Sequence, residues 1–281
     1  MYIKTNYHTH CFLDDGAQKP ELYAEQALKE GFSVLGFSCH APLPFPNQWT
    51  LKQEDLPRYI RAVREVQELY RGRLEICLGL EVDYVPGRMG PSSDWVQALD
   101  LDYRIGSIHM LEDPETGEYL SVDGPDSEFL HLLEKTFRGD IREMVRAYFR
   151  QEIRLLEEHE FQILGHCDLM KKKNRDSRYF NQEEPWYREA AMELLETAAR
   201  KKVILEVNTG AIARGYQTEF YPSPWMLARA FELGIPVTLN SDAHQPEKIS
   251  AAFTESLSII REAGYSELSI LKEGSWQSVP I

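Results

Sequence analysis

Six short apolar runs in this chain stop at a histidine or an acid: Tyr7-His8-Thr9-His10, Cys39-His40, Leu80-Glu81, Ile108-His109, Gly165-His166 and Asp242-Ala243-His244. Six of the eight histidines fall in these places, which a random scatter over a surface would rarely produce. The pattern constrains the fold. In a closed parallel barrel the C-terminal ends of all strands converge on one face, so polar residues that end successive strands meet. Along an open sheet the same residues would be strung out over an edge too long for one cluster.

The segments between these stops alternate as such a barrel requires. Ile3 to His8 reads as a strand, and Pro20 to Glu30 as a helix with an apolar stripe of Leu22, Ala24, Ala27 and Leu28, ended by Gly31. Phe32 to Cys39 is a continuous apolar run of the kind buried on both faces of a parallel sheet. The prolines of Ala41 to Trp49 exclude helix and ladder. Further strands are expected at Leu74 to Glu81, Tyr103 to His109, Phe161 to His166, Val203 to Val207 and Ile235 to Leu239. Helices are expected at Leu56 to Tyr70, Asp94 to Leu99, Asp140 to Glu158, Glu184 to Arg200, Pro224 to Leu233 and Glu247 to Ala263. Seven alternations without a composition break imply one α/β domain over residues 1–281, a seven-stranded (β/α) barrel. The acidic, weakly periodic stretch at about 111–135 is an excursion from it.

The net charge of −14 argues against a general nucleic-acid partner, which needs Lys and Arg to displace counterions. No apolar stretch approaches the ~20 residues that cross a bilayer. The N-terminus shows no leader pattern, so the expected address is cytoplasmic. Cys11, Cys39, Cys77 and Cys167 lack CxxC spacing. Cys11, Cys39 and Cys167 each adjoin a histidine of the pattern, and on a strand neighbours face opposite ways, so these thiols are expected to pack behind the site.

His8 and His10 lie two apart, so both rings project to one side and can share an ion. Asp242 and His244 repeat the spacing, and Glu81 adds an isolated acid. Mixed imidazole and carboxylate sets suit Zn²⁺, Fe²⁺ or Mn²⁺ better than Mg²⁺. So many ligands exceed what one ion uses, and two or three are implied.

In this ordered set the chain resembles the PHP (polymerase and histidinol phosphatase) phosphoesterases: HxH, an acid before Gly16, His40, Glu81, Ser-Ile-His109, Gly-His166-Cys-Asp and Ser-Asp-Ala-His244. Ser38-Cys-His-Ala-Pro-Leu-Pro44, Tyr119-Leu-Ser-Val-Asp-Gly124 and Asn208-Thr-Gly210 with Arg214 are similar to the histidinol-phosphatase branch. The resemblance implies a distorted barrel with three metals. One would be held by His8, His10, Glu81 and Asp242, a second by Glu81, His109 and His166, and a third by Asp15, His40 and His244. Asp15 is preferred to Asp14 because it directly precedes Gly16. The implied reaction is hydrolysis of L-histidinol phosphate, a small phosphomonoester, in histidine biosynthesis. A hydroxide bridging ions ~3.5–4 Å apart would attack in line. Arg214 and Lys171 would grip phosphate, and Asp242 or His244 would protonate the leaving alcohol.

His131 and His159 fall outside the pattern and are expected to be solvated, Arg104 to pair structurally, and Trp49 and Tyr119 to border the pocket. Three rivals remain: a PHP phosphoesterase acting on another monoester, phosphotyrosine, a nucleotide or a nucleic acid; a metal-dependent amidohydrolase; and a degenerate scaffold. Acidity opposes a nuclease, Glu81 stands where amidohydrolases often carry a modified lysine, and a degenerate module would have lost ligands.

Overall fold

Seven parallel strands follow one another around the molecule: β1 (Thr5–Asn6), β2 (Val34–Phe37), β3 (Glu75–Asp83), β4 (Tyr103–Ser107), β7 (Ile163–Leu164), β8 (Ile204–Asn208) and β9 (Val237–Asn240), hydrogen-bonded in that order. The computed structural model describes residues 3–281, so residues 1 and 2 of the domain expected over 1–281 lie outside it. The seven-stranded sheet is nearly closed as a barrel. β1 and β9 share no ladder, but His10 N–H donates to Ala243 O at 2.9 Å and Ala243 N–H to His8 O at 3.1 Å. The seam is thus sewn by residues interleaved with the expected ligands.

Helices cover the sheet: α1 (Pro20–Lys29), α2 (Leu56–Tyr70), the short α3 (Asp94–Gln97), α4 (Asp126–His131), α5 (Ile141–Glu158), α6 (Pro185–Lys201), the single turn α7 (Gly210–Ala213), α8 (Pro224–Glu232) and α9 (Phe253–Glu262). Local chemistry sets their ends. Asp140 caps α5 by accepting from the amides of Arg142 and Glu143, and α1, α6 and α8 open on proline, whose missing N–H has no partner to lose there. α2 buries Leu56, Tyr59, Val63, Val66 and Tyr70, one apolar face at helical spacing. In α1 the expected stripe is displaced: Tyr23, Ala24 and Ala27 are buried while Leu22 and Leu28 are exposed, because the bulkier ring of Tyr23 takes the core position.

Two hairpins go beyond the expected alternation. The 111–135 excursion contains β5 (Met110–Asp113) paired antiparallel with β6 (Glu118–Ser121), then α4. Beyond α9, β10 (Glu267–Lys272) pairs antiparallel with β11 (Ser275–Pro280) through Glu273 and Gly274, both at positive φ as a tight hairpin turn requires. This second hairpin plugs the barrel floor: Ile270, Leu271 and Val279 pack with Tyr7, Val34, Cys77, Tyr103, Ile105 and Ile163. The Tyr103 ring lies across the barrel interior, and a Cβ at Gly36 or Gly79 would sit 2.4 or 2.5 Å from it, so both strands need glycine there. The floor is filled, and the chemistry is left to the opposite end.

The four cysteines are buried and unpaired by disulfides. Cys11 and Cys39 face each other at 3.3 Å between sulfurs, and burial pushes the Cys39, Cys77 and Cys167 thiols up. They are packing residues. His131 meets Asp113 at 2.9 Å near the surface. His159, expected to be solvated, is partly buried, its Nδ1 2.7 Å from Ser92 Oγ and its ring against Gly90. Arg104 donates to Pro91 O.

Candidate metal centre

At the C-terminal end of the barrel one carboxylate is surrounded by five imidazoles. Glu81, on β3, is fully buried. Its Oε2 lies 3.0 Å from His8 Nε2, 2.9 Å from His40 Nδ1 and 3.6 Å from His10 Nε2, and its Oε1 lies 2.8 Å from His166 Nε2 and 3.6 Å from His109 Nε2. Ser107 donates to the same Oε1 at 2.8 Å. The strand-end placement expected for all these residues thus brings them together.

Asp242 follows β9 at φ +51°, a conformation that aspartate tolerates better than most residues. Its Oδ1 lies 3.3 Å from His10 Nε2, 3.8 Å from His8 Nε2 and 3.5 Å from His244 Nδ1. Asp15 Oδ1 lies 3.2 Å from His244 Nε2 and 3.9 Å from His40 Nε2. Asp14 is engaged differently: it accepts from the backbone amides of Cys11, Gly16 and His40 and sits 2.7 Å from His10 Nδ1. Asp14 shapes the turn and Asp15 reaches the cluster.

These atoms fit cations. His8 Nε2, His10 Nε2, His40 Nδ1, His166 Nδ1 and Glu81 Oε2 are buried without a hydrogen-bond partner, which is rare because such atoms lose solvation and gain nothing in return. Ligand atoms lie within 4.8 Å of one another in the sets His8, His10, Asp242; His8, Glu81, His166; His10, Asp15, His40, His244; and His40, Asp83, His109. Burial opposes ionisation of Glu81, yet His8, His40 and His109 hold its carboxyl well below the usual range. Asp242 is likewise held low, by Arg214, His8 and His10 against its burial. Burial would push the His109 imidazolium down, but Asp83 and Glu81 outweigh it and carry His109 up to about 10. Buried carboxylates that stay ionised among imidazoles make a site for positive charge.

Behind the rings stands a second rank of acids, outside the set expected from the sequence. Asp83 Oδ1 lies 3.0 Å from His109 Nδ1, and Glu206 Oε1 lies 2.7 Å from His8 Nδ1. Their signal was an acid inside an apolar strand: Asp83 two residues beyond Glu81, and Glu206 in Ile204-Leu205-Glu206-Val207. Such a residue is expensive to bury and is rarely there without a partner.

A cavity of about 690 Å³ opens over the cluster, with Phe45, Trp49 and Tyr119 on one side and Asp123, Lys172, Arg214 and Tyr216 on another. Arg214 follows α7 and reaches Asp242 because Gly210 has no Cβ to block it. Lys171 does not line the cavity. It is 2% exposed, donates to Phe220 O and Ser223 Oγ and pairs with Asp168 at 3.1 Å, so it is committed to the interior. Lys172 faces the cavity instead, 2.7 Å from Asp123 Oδ2.

No helix among the described residues is long and apolar enough to cross a membrane. A model of the PHP domain family matches residues 5–210. The chain is 34% identical over 248 residues to the probable histidinol-phosphatase of Deinococcus radiodurans, covering 87% of each, and 30% identical over 244 residues to the histidinol-phosphatase of Bacillus subtilis, covering 82% of this chain and 89% of that one. The crystal structure of histidinol phosphate phosphatase from Lactococcus lactis, complexed with zinc, L-histidinol and phosphate, superposes over 98% of both chains with a TM-score of 0.76 at 23% identity.

Proposed function

The chain belongs to the PHP domain family, and from that premise we propose that it is a histidinol-phosphatase of histidine biosynthesis, a cytoplasmic metal-dependent phosphomonoesterase that converts L-histidinol phosphate and water to L-histidinol and phosphate. The observation that carries this reading is Glu81 amid five histidines, four of which, His8, His10, His40 and His166, have a buried nitrogen without a partner, in a chain with relatives named for that activity. We take residues 1–281 as one catalytic domain.

Two to three divalent transition-metal ions, Zn, Fe or Mn, would be held by His8, His10, Asp15, His40, Glu81, His109, His166, Asp242 and His244. When bound they supply an activated water and positive charge against the phosphoryl oxygens. The chain's own residues do the rest. Arg214, a planar fork at the cavity wall, would bind phosphate oxygens, with Lys172 in the place first expected of Lys171. The wall of Phe45, Trp49 and Tyr119 would exclude water and receive the flat imidazole of the alcohol portion. For the proton that the departing alkoxide needs, Asp242 and His244 are both poor sources, because the Asp242 carboxyl stays ionised and the His244 ring would give Nε2 to an ion while its Nδ1 faces the Arg214 guanidinium.

The test is phosphate release by zinc-loaded protein from L-histidinol phosphate, beside p-nitrophenyl phosphate, phosphotyrosine and a single-stranded oligonucleotide. Preference for histidinol phosphate by kcat/KM is expected. Faster cleavage of the oligonucleotide would replace this reading with a nuclease.

A further inference from the structure

Glu206, in the middle of β8, is fully buried, and each of its oxygens accepts twice. Oε1 lies 2.7 Å from His8 Nδ1 and 2.9 Å from Asn240 Nδ2; Oε2 lies 2.9 Å from the His166 backbone N–H and 3.0 Å from Asn208 Nδ2. These four contacts fill the acceptor capacity of a carboxylate. They also tie the ends of β1, β7 and β9 to β8, where three of the barrel's ligand-bearing ends must keep register.

The contact with His8 has a chemical consequence. A carboxylate can only accept, so His8 Nδ1 must carry the hydrogen, and the lone pair of a neutral ring is then on Nε2. That Nε2 is the atom 3.0 Å from Glu81 and 3.8 Å from Asp242 that has no hydrogen-bond partner. We propose that Glu206 is a positioning residue for metal retention: it locks His8 in the Nδ1–H form and so presents Nε2 to the ion. The inference rests on the metal-centre reading.

The substitution Glu206→Gln isolates the effect. The backbone N–H of His166 cannot turn round, so the amide oxygen must stay on its side, and the new NH₂ falls where Oε1 was. Asn240 cannot flip to receive it, because its Oδ1 already accepts from Tyr7 N–H at 2.8 Å. Only His8 can respond, by moving its hydrogen from Nδ1 to Nε2. A protonated Nε2 does not bind a cation.

The experiment strips the full chain with a chelator and titrates zinc back against a competing chromophoric chelator, in wild type and E206Q. One site per chain should weaken about 10- to 100-fold in E206Q, the range for partners that orient ligand histidines, with activity recovering as zinc is raised. Circular dichroism of the metal-free variant should match wild type. In ¹⁵N-histidine spectra of the zinc-loaded wild type, His8, assigned through His8→Asn, should show a protonated Nδ1 and a metal-bound Nε2. Equal zinc affinity in wild type and E206Q overturns this inference alone, whereas a wild type that takes up no zinc overturns the metal reading with it. If E206Q does not fold, the wild-type spectrum decides: a His8 bound through Nδ1 overturns the proposal.

Discussion

Arg214 Nη2 lies 2.9 Å from Asp242 Oδ2 while its Nη1 lies 2.9 Å from His244 Nδ1, so one guanidinium spans both ligand residues that follow the last barrel strand. Lysine carries the charge but lacks the fork. Arg214→Lys should therefore lower kcat/KM for histidinol phosphate about 10- to 100-fold, the equivalent of losing a charged hydrogen bond of roughly 1.5–3 kcal/mol. Steady-state kinetics on zinc-loaded protein measures it, and an unchanged kcat/KM would remove Arg214 from phosphate binding.

Adjacent lysines should behave oppositely. Lys172→Met should fold normally and raise KM, since its ammonium group faces the cavity beside Asp123. Lys171→Met leaves Asp168 buried without its cation, a change worth about 3–5 kcal/mol in comparable pairs, and should appear as a lower thermal midpoint or poor expression. Reversal of the two phenotypes would refute this assignment.

His109→Ala should leave the circular dichroism spectrum intact and abolish most turnover, by more than the ~10–100-fold that residues behind a ligand contribute. Metal analysis of the same sample should show fewer ions per chain. Wild-type turnover in this variant would take His109 out of the centre.

Removal of metal should lower both activity and stability. Partnerless buried nitrogens remain when the cations leave, and any ion bound only by the native state stabilises it. A chelator-treated sample is expected to melt below the zinc-reconstituted one and to regain activity with zinc. Identical melting curves would count against a structural contribution from the ions.

Glu152, which is not one of the expected ligands, provides a pH test. It is fully buried on α5, with Oε1 accepting from Tyr148 at 2.7 Å and Oε2 without a partner, and burial raises its carboxyl well above the usual range. The native state therefore keeps a proton that the unfolded chain gives up above about pH 4.3. Stability from this group is full below that pH and is lost as pH rises towards the native value. Glu152→Gln has no proton to lose, so its advantage over wild type should widen between pH 5 and 8, by up to about 1.4 kcal/mol per unit. Parallel melting temperatures across that range would refute it.

The barrel and its ligand ends were legible because two simple rules coincide: apolar runs make buried parallel strands, and polar residues that stop them gather at one rim. Lys171 and Lys172 were not separable on that basis. They occupy a tight helical turn, Leu169–Lys173, where one residue rotates a side chain by about 120°, and three lysines in a row give no phase. The β10–β11 hairpin was written in Leu268, Ile270 and the Glu273-Gly274 turn, yet it lies outside the strand-helix rhythm that organised the reading. Glu206 had a visible anomaly but no visible partner, since His8 is 198 residues away.

The seam between β1 and β9 has a consequence for biosynthesis. His8 and His10 leave the ribosome well before Asp242, Ala243 and His244, of which Ala243 bonds back to His8 and His10 to complete the rim. At roughly 5–20 residues per second, more than about ten seconds separate the two. A growing chain lacks the closing strand and the last two of the nine expected ligands throughout that interval, and so does any product that stops short of residue 240. The set of His8, His10 and Asp242 and the set of His10, Asp15, His40 and His244 are therefore complete only in a chain that has closed this seam.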